Sequence, residues 1–238
     1  MFGEFMGTLV LVLLGNGVVA GVLLKKSKAE DSGWIVIATG WALGVIAGVF
    51  TAIACGSADA HLNPAVTLAS AVVTGNFSKL AFYTLAQLAG AMCGASLVWL
   101  HYYPHWRETP DADRKRACFC TSPAIEHRPA NLFGEILGTF VLVLVASAIA
   151  SKAVANSGPA PGLAPCLVGA VVWGIGLSLG GTTGYAINPA RDLGPRIAHA
   201  LLPIAKKGDS GWGYAAVPVI GPLAGATLAG ILVRLAKF

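Results

Sequence analysis

The chain has 238 residues, 55% of them hydrophobic and 11% charged, with a formal net charge of +5 and a mean hydropathy of +0.71. A soluble domain is about one-quarter charged, so this composition excludes an ordinary globular domain and points to an integral membrane protein. The basic residues sit mostly in short connecting segments without interleaved aromatics, which argues against a nucleic-acid surface.

Residues 1–24 read as the first membrane span, since they lack the basic flank and cleavage site of a signal peptide. A polar turn at 25–33 leads to a second span at 34–54. Gly56-Ser-Ala-Asp-Ala-His-Leu-Asn-Pro-Ala-Val66 follows. Asn is a preferred helix N-cap and Pro fits the first helical position, so Asn63-Pro64 starts a helix. The apolar stretch after it, 65–73, would reach about 15 Å, half of a bilayer core. Such a half-span must re-enter, with protein or a water-filled cavity covering its backbone.

Residues 79–102 form the third predicted span, and 103–129 a polar loop with mixed charge. The fourth span is 130–150, a Gly/Pro/Ser turn covers 151–161, and the fifth span is 163–179. Then comes Gly180-Gly-Thr-Thr-Gly-Tyr-Ala-Ile-Asn-Pro-Ala-Arg-Asp-Leu-Gly-Pro-Arg196, where Asn188-Pro189 again follows a Gly by seven positions. A second short helix runs from 188 to about 202, and the sixth span is 214–238.

The two halves repeat. Gly3-Glu-Phe-Met-Gly-Thr-Leu-Val-Leu-Val12 matches Gly134-Glu-Ile-Leu-Gly-Thr-Phe-Val-Leu-Val143, and Leu88-Ala-Gly-Ala91 matches Leu223-Ala-Gly-Ala226. Each half holds three spans and one half-span; three being odd, the second copy lies inverted. We therefore expect one domain of two repeats, 1–102 and 130–238, joined by the loop 103–129, with a polar site at the midplane. Glycines at four-residue spacing (Gly40, Gly44, Gly48; Gly90, Gly94; Gly176, Gly180, Gly184; Gly221, Gly225) let helices approach closely.

If the half-helices enter from opposite faces, Asn63 and Asn188 meet. Each helix N-terminus carries about +0.5 charge, so the pair repels cations. Each Asn caps its own helix with its side-chain oxygen and leaves its NH2 to donate into the path.

These residues carry a resemblance. Over essentially its whole length the chain resembles the major intrinsic protein (aquaporin) family, through Ala60-His-Leu-Asn-Pro-Ala-Val-Thr67 and Asn188-Pro-Ala-Arg-Asp-Leu-Gly-Pro-Arg196. The resemblance implies an all-α membrane protein of six spanning helices and two re-entrant half-helices, a pore in each protomer and a homotetramer in the plasma membrane. It implies pore motifs at Asn63, Pro64, Ala65, Asn188, Pro189 and Ala190. It places a filter at Trp41, Gly176, Tyr185 and Arg191, and backbone groups of Ala60, His61, Gly184 and Ala186 along the pore. Asp192, Arg196 and Pro218 match the glycerol-conducting branch. With Gly176 in place of a histidine, the filter is expected to be wide on one side. The implied activity is a passive channel, not an enzyme, with no cofactor and no metal. Its solutes would be glycerol and water, with dihydroxyacetone, hydrogen peroxide, urea and undissociated lactic acid as family alternatives.

Several residues have competing readings. Glu4 and Glu135 are charges in equivalent spans. A coupled carrier would use them as ion sites, whereas a channel would use them to accept backbone N–H groups of the re-entrant loops; their matched settings favour the second. Asp59 departs from the family, which has Gly there, and brings a carboxylate to the entrance. Asp192 would pair with a nearby base or sit at the half-helix N-terminus. Trp99, Tyr102, Tyr103 and Trp106 read as an interfacial belt. Cys55, Cys93 and Cys166 read as small buried hydrophobes, and Cys118-Phe-Cys120, near three histidines, matches no zinc spacing. Counting positive charges would put the loops after the first, third and fifth spans in the cytoplasm; the resemblance puts the termini there.

Overall fold

The computed structural model describes residues 1–154, 156–160 and 162–237. Positions 155 and 161, in the expected turn 151–161, and position 238 lie outside the described residues.

Among the described residues ten α-helices follow in order: α1 Phe2–Leu23, α2 Trp34–Ala54, α3 Pro64–Thr74, α4 Leu80–His101, α5 His105–Glu108, α6 Ala112–Ala117, α7 Arg128–Ala150, α8 Ala164–Ser178, α9 Pro189–Leu201 and α10 Val217–Ala236. Five regions among the described residues are long and apolar enough to cross a membrane: α1, α2, α4, α7 and the segment Trp212–Ala236 that contains α10. The fifth expected span is shorter than its sequence range. α8 has 15 residues, about 22 Å, because Gly180-Gly181 and two threonines follow its last turn. The sixth also starts late: Trp212–Tyr214 is a 3₁₀ turn, and α10 begins at Val217 with Pro218 in its first turn. The loop 103–129 is not wholly irregular, for it holds α5 and α6.

α1 packs on α2 and α4, and α7 packs on α8 and α10, with α2 against α8. The short helices cross over: α3 lies on α10 and α9 on α4, so each is held by a span from the other half of the chain. Close approach needs glycine. A Cβ on Gly90 would lie 2.3 Å from the Phe5 carbonyl oxygen, and one on Gly225 would lie 2.2 Å from that of Ile136. In lipid, where apolar surface gains nothing by meeting apolar surface, this backbone contact drives helix association.

The loops reverse some expectations. Trp106 is buried, packs on Phe119 and donates its indole N–H to the Trp99 carbonyl at 2.9 Å, so it belongs to the core and not to an interfacial belt; Tyr103 remains exposed. Cys118 and Cys120 are buried, while Cys93 and Cys166 are exposed on outer helix faces and Cys55 is half-buried. A thiol is apolar enough to face lipid, so being in a span does not require burial in protein. Burial pushes both loop thiols up, Cys120 to about 12, which keeps them protonated and unreactive at neutral pH. Lys207 Nζ donates to the carbonyls of His199, Ala200 and Leu202 at 2.6–2.7 Å. It therefore caps the negative end of α9, a place where a cation is favoured.

Candidate functional site

Both re-entrant loops turn through backbone that side chains rarely adopt. Ala60 and Leu62 have φ of 44° and 52°, and Tyr185 and Ile187 have 37° and 44°. Each such residue costs on the order of 1–3 kcal/mol, and buried glutamates hold the geometry. Glu4 Oε1 accepts from Ser57 Oγ (2.7 Å) and His61 N (2.9 Å), and its Oε2 accepts from Leu62 N and Gln87 Nε2 (both 2.8 Å). Glu135 Oε1 accepts from Thr183 Oγ1 (2.7 Å) and Ala186 N (2.9 Å), and Oε2 from Ile187 N (2.8 Å). The two glutamates thus satisfy loop amides that water cannot reach. Neither lines the central cavity.

Asn63 and Asn188 cap the two short helices. Asn63 Oδ1 accepts from Ala65 N at 2.8 Å, and Asn188 Oδ1 accepts from Ala190 N and Arg191 N at 2.9 and 3.2 Å. Their amide nitrogens are not wholly free, contrary to expectation. Asn63 Nδ2 donates to the Ile187 carbonyl and Asn188 Nδ2 to the Leu62 carbonyl, each at 2.8 Å. The left-handed turns at Leu62 and Ile187 aim those carbonyls across, so each loop supplies an acceptor to the other loop's Asn. One N–H of each amide is used in this cross-tie, and one is left over.

A cavity of about 590 Å³ runs past these groups. Trp41, Tyr185 and Arg191 line it toward one end, Asn63 and Asn188 lie within it, and Asp59, Ala60 and His61 line it beyond them, with Val143, Val168 and Val172 on an apolar wall. The Arg191 guanidinium stands over the Trp41 ring and donates to the Gly184 carbonyl at 3.4 Å. Trp41 Nε1 and the Tyr185 hydroxyl, both buried, have no hydrogen-bond partner among the described residues. The room beside Gly176 is not left open. A Cβ there would lie 2.9–3.2 Å from the Tyr185 ring and hydroxyl, so Tyr185 occupies the room that a larger residue at 176 would take. Ala186 lines the cavity, whereas Gly176 and Gly184 bound it through the Tyr185 and Arg191 contacts.

A model of the major intrinsic protein family matches residues 1–233. The chain belongs to that family. A probable glycerol uptake facilitator protein of Thermotoga maritima is 54% identical over 94% of this chain and 94% of its own. A D/L-lactic acid transporter of Lactiplantibacillus plantarum is 39% identical over 96% of this chain and 94% of that one. The X-ray structure of the aquaglyceroporin from Plasmodium falciparum superposes with a TM-score of 0.83 at 27% identity, covering 98% of this chain and 93% of that one. The chain is accordingly a multi-pass membrane protein of the channel family, with six spanning helices and two re-entrant half-helices, α3 and α9.

Other residues of this major intrinsic protein take structural places. Asp192 is fully buried away from the cavity. Its carboxylate pairs with Arg196 through Nε at 2.8 Å and Nη2 at 3.0 Å, and accepts from Thr121 N and Oγ1 at 2.7 Å. Arg196 goes on to the carbonyls of Thr121, Ser210 and Gly211. This bidentate pair fastens α9 to two connecting loops. Pro218 is buried in the first turn of α10. Asp59 pairs with Lys79 and accepts from the Tyr83 hydroxyl at 2.9 Å, so its carboxylate ties the entrance loop to the start of α4. Sequence reasoning missed Ser57, Thr183, Gln87 and Thr121. Two of these carry a signal: Ser57 and Thr183 are hydroxyl residues that open the two loops shortly before the amides their glutamates also serve.

Proposed function

We propose that the chain is a passive channel for glycerol and other small neutral solutes, with water also crossing and ions and protons excluded. The observation that carries this reading is the cross-tie of Asn63 and Asn188 inside the cavity. Two helix N-termini there present partial positive charge from opposite sides, a barrier to cations that a neutral hydroxyl does not meet. Trp41 and Tyr185 give a carbon chain an apolar wall, while Arg191 and backbone carbonyls serve hydroxyls. The relatives named above support glycerol as the first solute to test. Dihydroxyacetone, hydrogen peroxide, urea and undissociated lactic acid belong to the same reading as further solutes.

The rest of the reading follows from the family. The domain comprises two inverted repeats, 1–102 and 130–238, joined by 103–129, and the matched bonding of Glu4 and Glu135 supports that division. We assign the pore motifs, the filter and the pore backbone to the residues named above. The protein works without a catalytic step, as a homotetramer in the plasma membrane with both termini cytoplasmic. A coupled carrier gains no support, because Glu4 and Glu135 are engaged with the loops and stand off the cavity.

Stopped-flow light scattering of purified protein in liposomes tests the proposal. Glycerol equilibration faster than in empty vesicles, linear in concentration and indifferent to sodium and proton gradients, is the expected result. Saturable, gradient-driven uptake would replace the channel with a carrier.

A further inference from the structure

Trp34 lies outside the filter residues, at the first turn of α2, with 39% of its surface exposed. Its position invites a bland account, since Trp at a span end anchors at the membrane interface with its N–H turned to headgroups or water. Its contacts differ from that account. The indole Nε1 donates at 2.9 Å to the Gly176 carbonyl, 142 positions along the chain. Gly176 is two residues from the end of α8, where the last carbonyls lack intrahelical donors. The Trp34 ring also meets the Tyr185 ring edge-on, with centroids 5.8 Å apart and planes at 76°.

The two contacts converge on one side chain. Tyr185 is pressed between Trp34 and the bare backbone of Gly176 in α8 and Gly180 just beyond it: a Cβ on Gly180 would lie 2.4 Å from Tyr185 Cδ1 and 3.0 Å from Trp34 Cζ2. Its hydroxyl lies over Gly176 and is bonded to no protein group among the described residues. No hydrogen bond therefore fixes the phenol; packing alone does, and Trp34 supplies the face that Gly176 and Gly180 do not.

We propose that Trp34 is a positioning residue for selectivity: by bonding Gly176 and packing edge-on against Tyr185 it sets the tilt of the phenol beside Arg191, and so the width of polyol admitted. This rests on the reading that solutes pass between Tyr185, Trp41 and Arg191. A buried side chain held by packing turns into space when its support is removed, so the opening widens without losing its charge.

The test compares glycerol, erythritol and xylitol permeability of proteoliposomes holding equal amounts of inserted wild type, Trp34→Ala and Trp34→Phe. Trp34→Ala is expected to raise the erythritol-to-glycerol ratio about tenfold, the lower end of the range that one carbon's worth of pocket commands. Trp34→Phe keeps a ring edge and loses the N–H, and should fall between. Because Trp34 acts through Tyr185, Trp34→Ala in a Tyr185→Leu background should change the ratio less than about twofold. An unchanged ratio in Trp34→Ala, including one accompanied by poor insertion as for an interfacial anchor, overturns the proposal. So does an undiminished effect in the Tyr185→Leu background. Wild type that passes glycerol no faster than empty vesicles defeats the functional reading itself, and this proposal with it.

Discussion

The guanidinium carbon of Arg191 lies 4.0 Å from the centroid of the Trp41 ring, and the acid beside it in sequence is turned away. Asp192 takes hydrogen bonds from Arg196 and Thr121, so Arg191 has no bonded carboxylate among the described residues. A desolvated cation over indole gains about 2 kcal/mol, enough to fix the group but not to cancel its charge. Arg191 thus keeps a positive charge and spare N–H donors at the cavity wall.

Replacing Arg191 by Val should leave glycerol and water flux within a few-fold of wild type while admitting cations. The measurement is proton and potassium leak in dye-loaded vesicles alongside solute flux. Unchanged ion exclusion would remove Arg191 from the filter and leave the barrier to the helix termini alone.

Glu4 and Glu135 look equivalent in sequence but differ in what they risk. In Glu135→Gln one oxygen becomes an NH2 facing the Ile187 N–H, two donors with no acceptor. In Glu4→Gln the new NH2 likewise faces a backbone N–H, that of Leu62, but a flipped Gln87, whose Oε1 has no partner among the described residues, can accept from it. A buried unsatisfied donor costs about 1–3 kcal/mol, so Glu135→Gln should lower the thermal midpoint in detergent by about 5 °C and Glu4→Gln by less. Equal losses would mean that Gln87 does not compensate. Ion-coupled transport appearing in either variant would contradict the structural role.

Much of this was legible because membrane constraints write themselves into sequence. A bilayer demands long apolar runs, and a half-length run starting at Asn-Pro has few meanings. The glutamates announced themselves as charges in oil. What stayed hidden depended on side-chain direction. The Asn63 amide crossing to Ile187, Tyr185 covering Gly176, and Trp106 of α5 folding back onto the end of α4 all follow from backbone turns that no spacing encodes. The positions of α5 and α6 were hidden for another reason: helices of four and six residues are set by their docking, not by propensity.

Helix contact through glycine predicts a sharp local intolerance. A methyl at Gly225 would sit 2.2 Å from the Ile136 carbonyl oxygen, and backbone cannot yield as a side-chain tip does. Gly225→Ala should destabilise the α7–α10 pair by about 1–3 kcal/mol. At Gly17, where an added methyl would meet nothing within 4 Å, Ala should be tolerated or slightly stabilising. Detergent melting curves of the two variants make the comparison, and equal midpoints would contradict the packing.

The entrance tie makes a prediction about acid. The hydrogen bond from Lys79, reinforced by the Tyr83 hydroxyl and opposed by partial burial, holds the Asp59 carboxyl below its usual range. A carboxylate whose pKa is lower in the folded chain stabilises it above the unfolded value, and that contribution disappears as pH falls through the folded one. The loop at 57–61 should therefore stay protected from hydrogen exchange from neutral pH through the ordinary aspartate range, and loosen only below it. Asp59→Asn, which cannot pair with Lys79, should loosen the loop already at neutral pH and erase the acid step. His61 packs edge-on against Tyr83 with centroids 5.7 Å apart, so it is the neighbour that could imitate this behaviour. Burial pushes the His61 imidazole below the ordinary histidine range, so an acid transition there that survives Asp59→Asn would assign the response to His61 and refute the role given to Asp59.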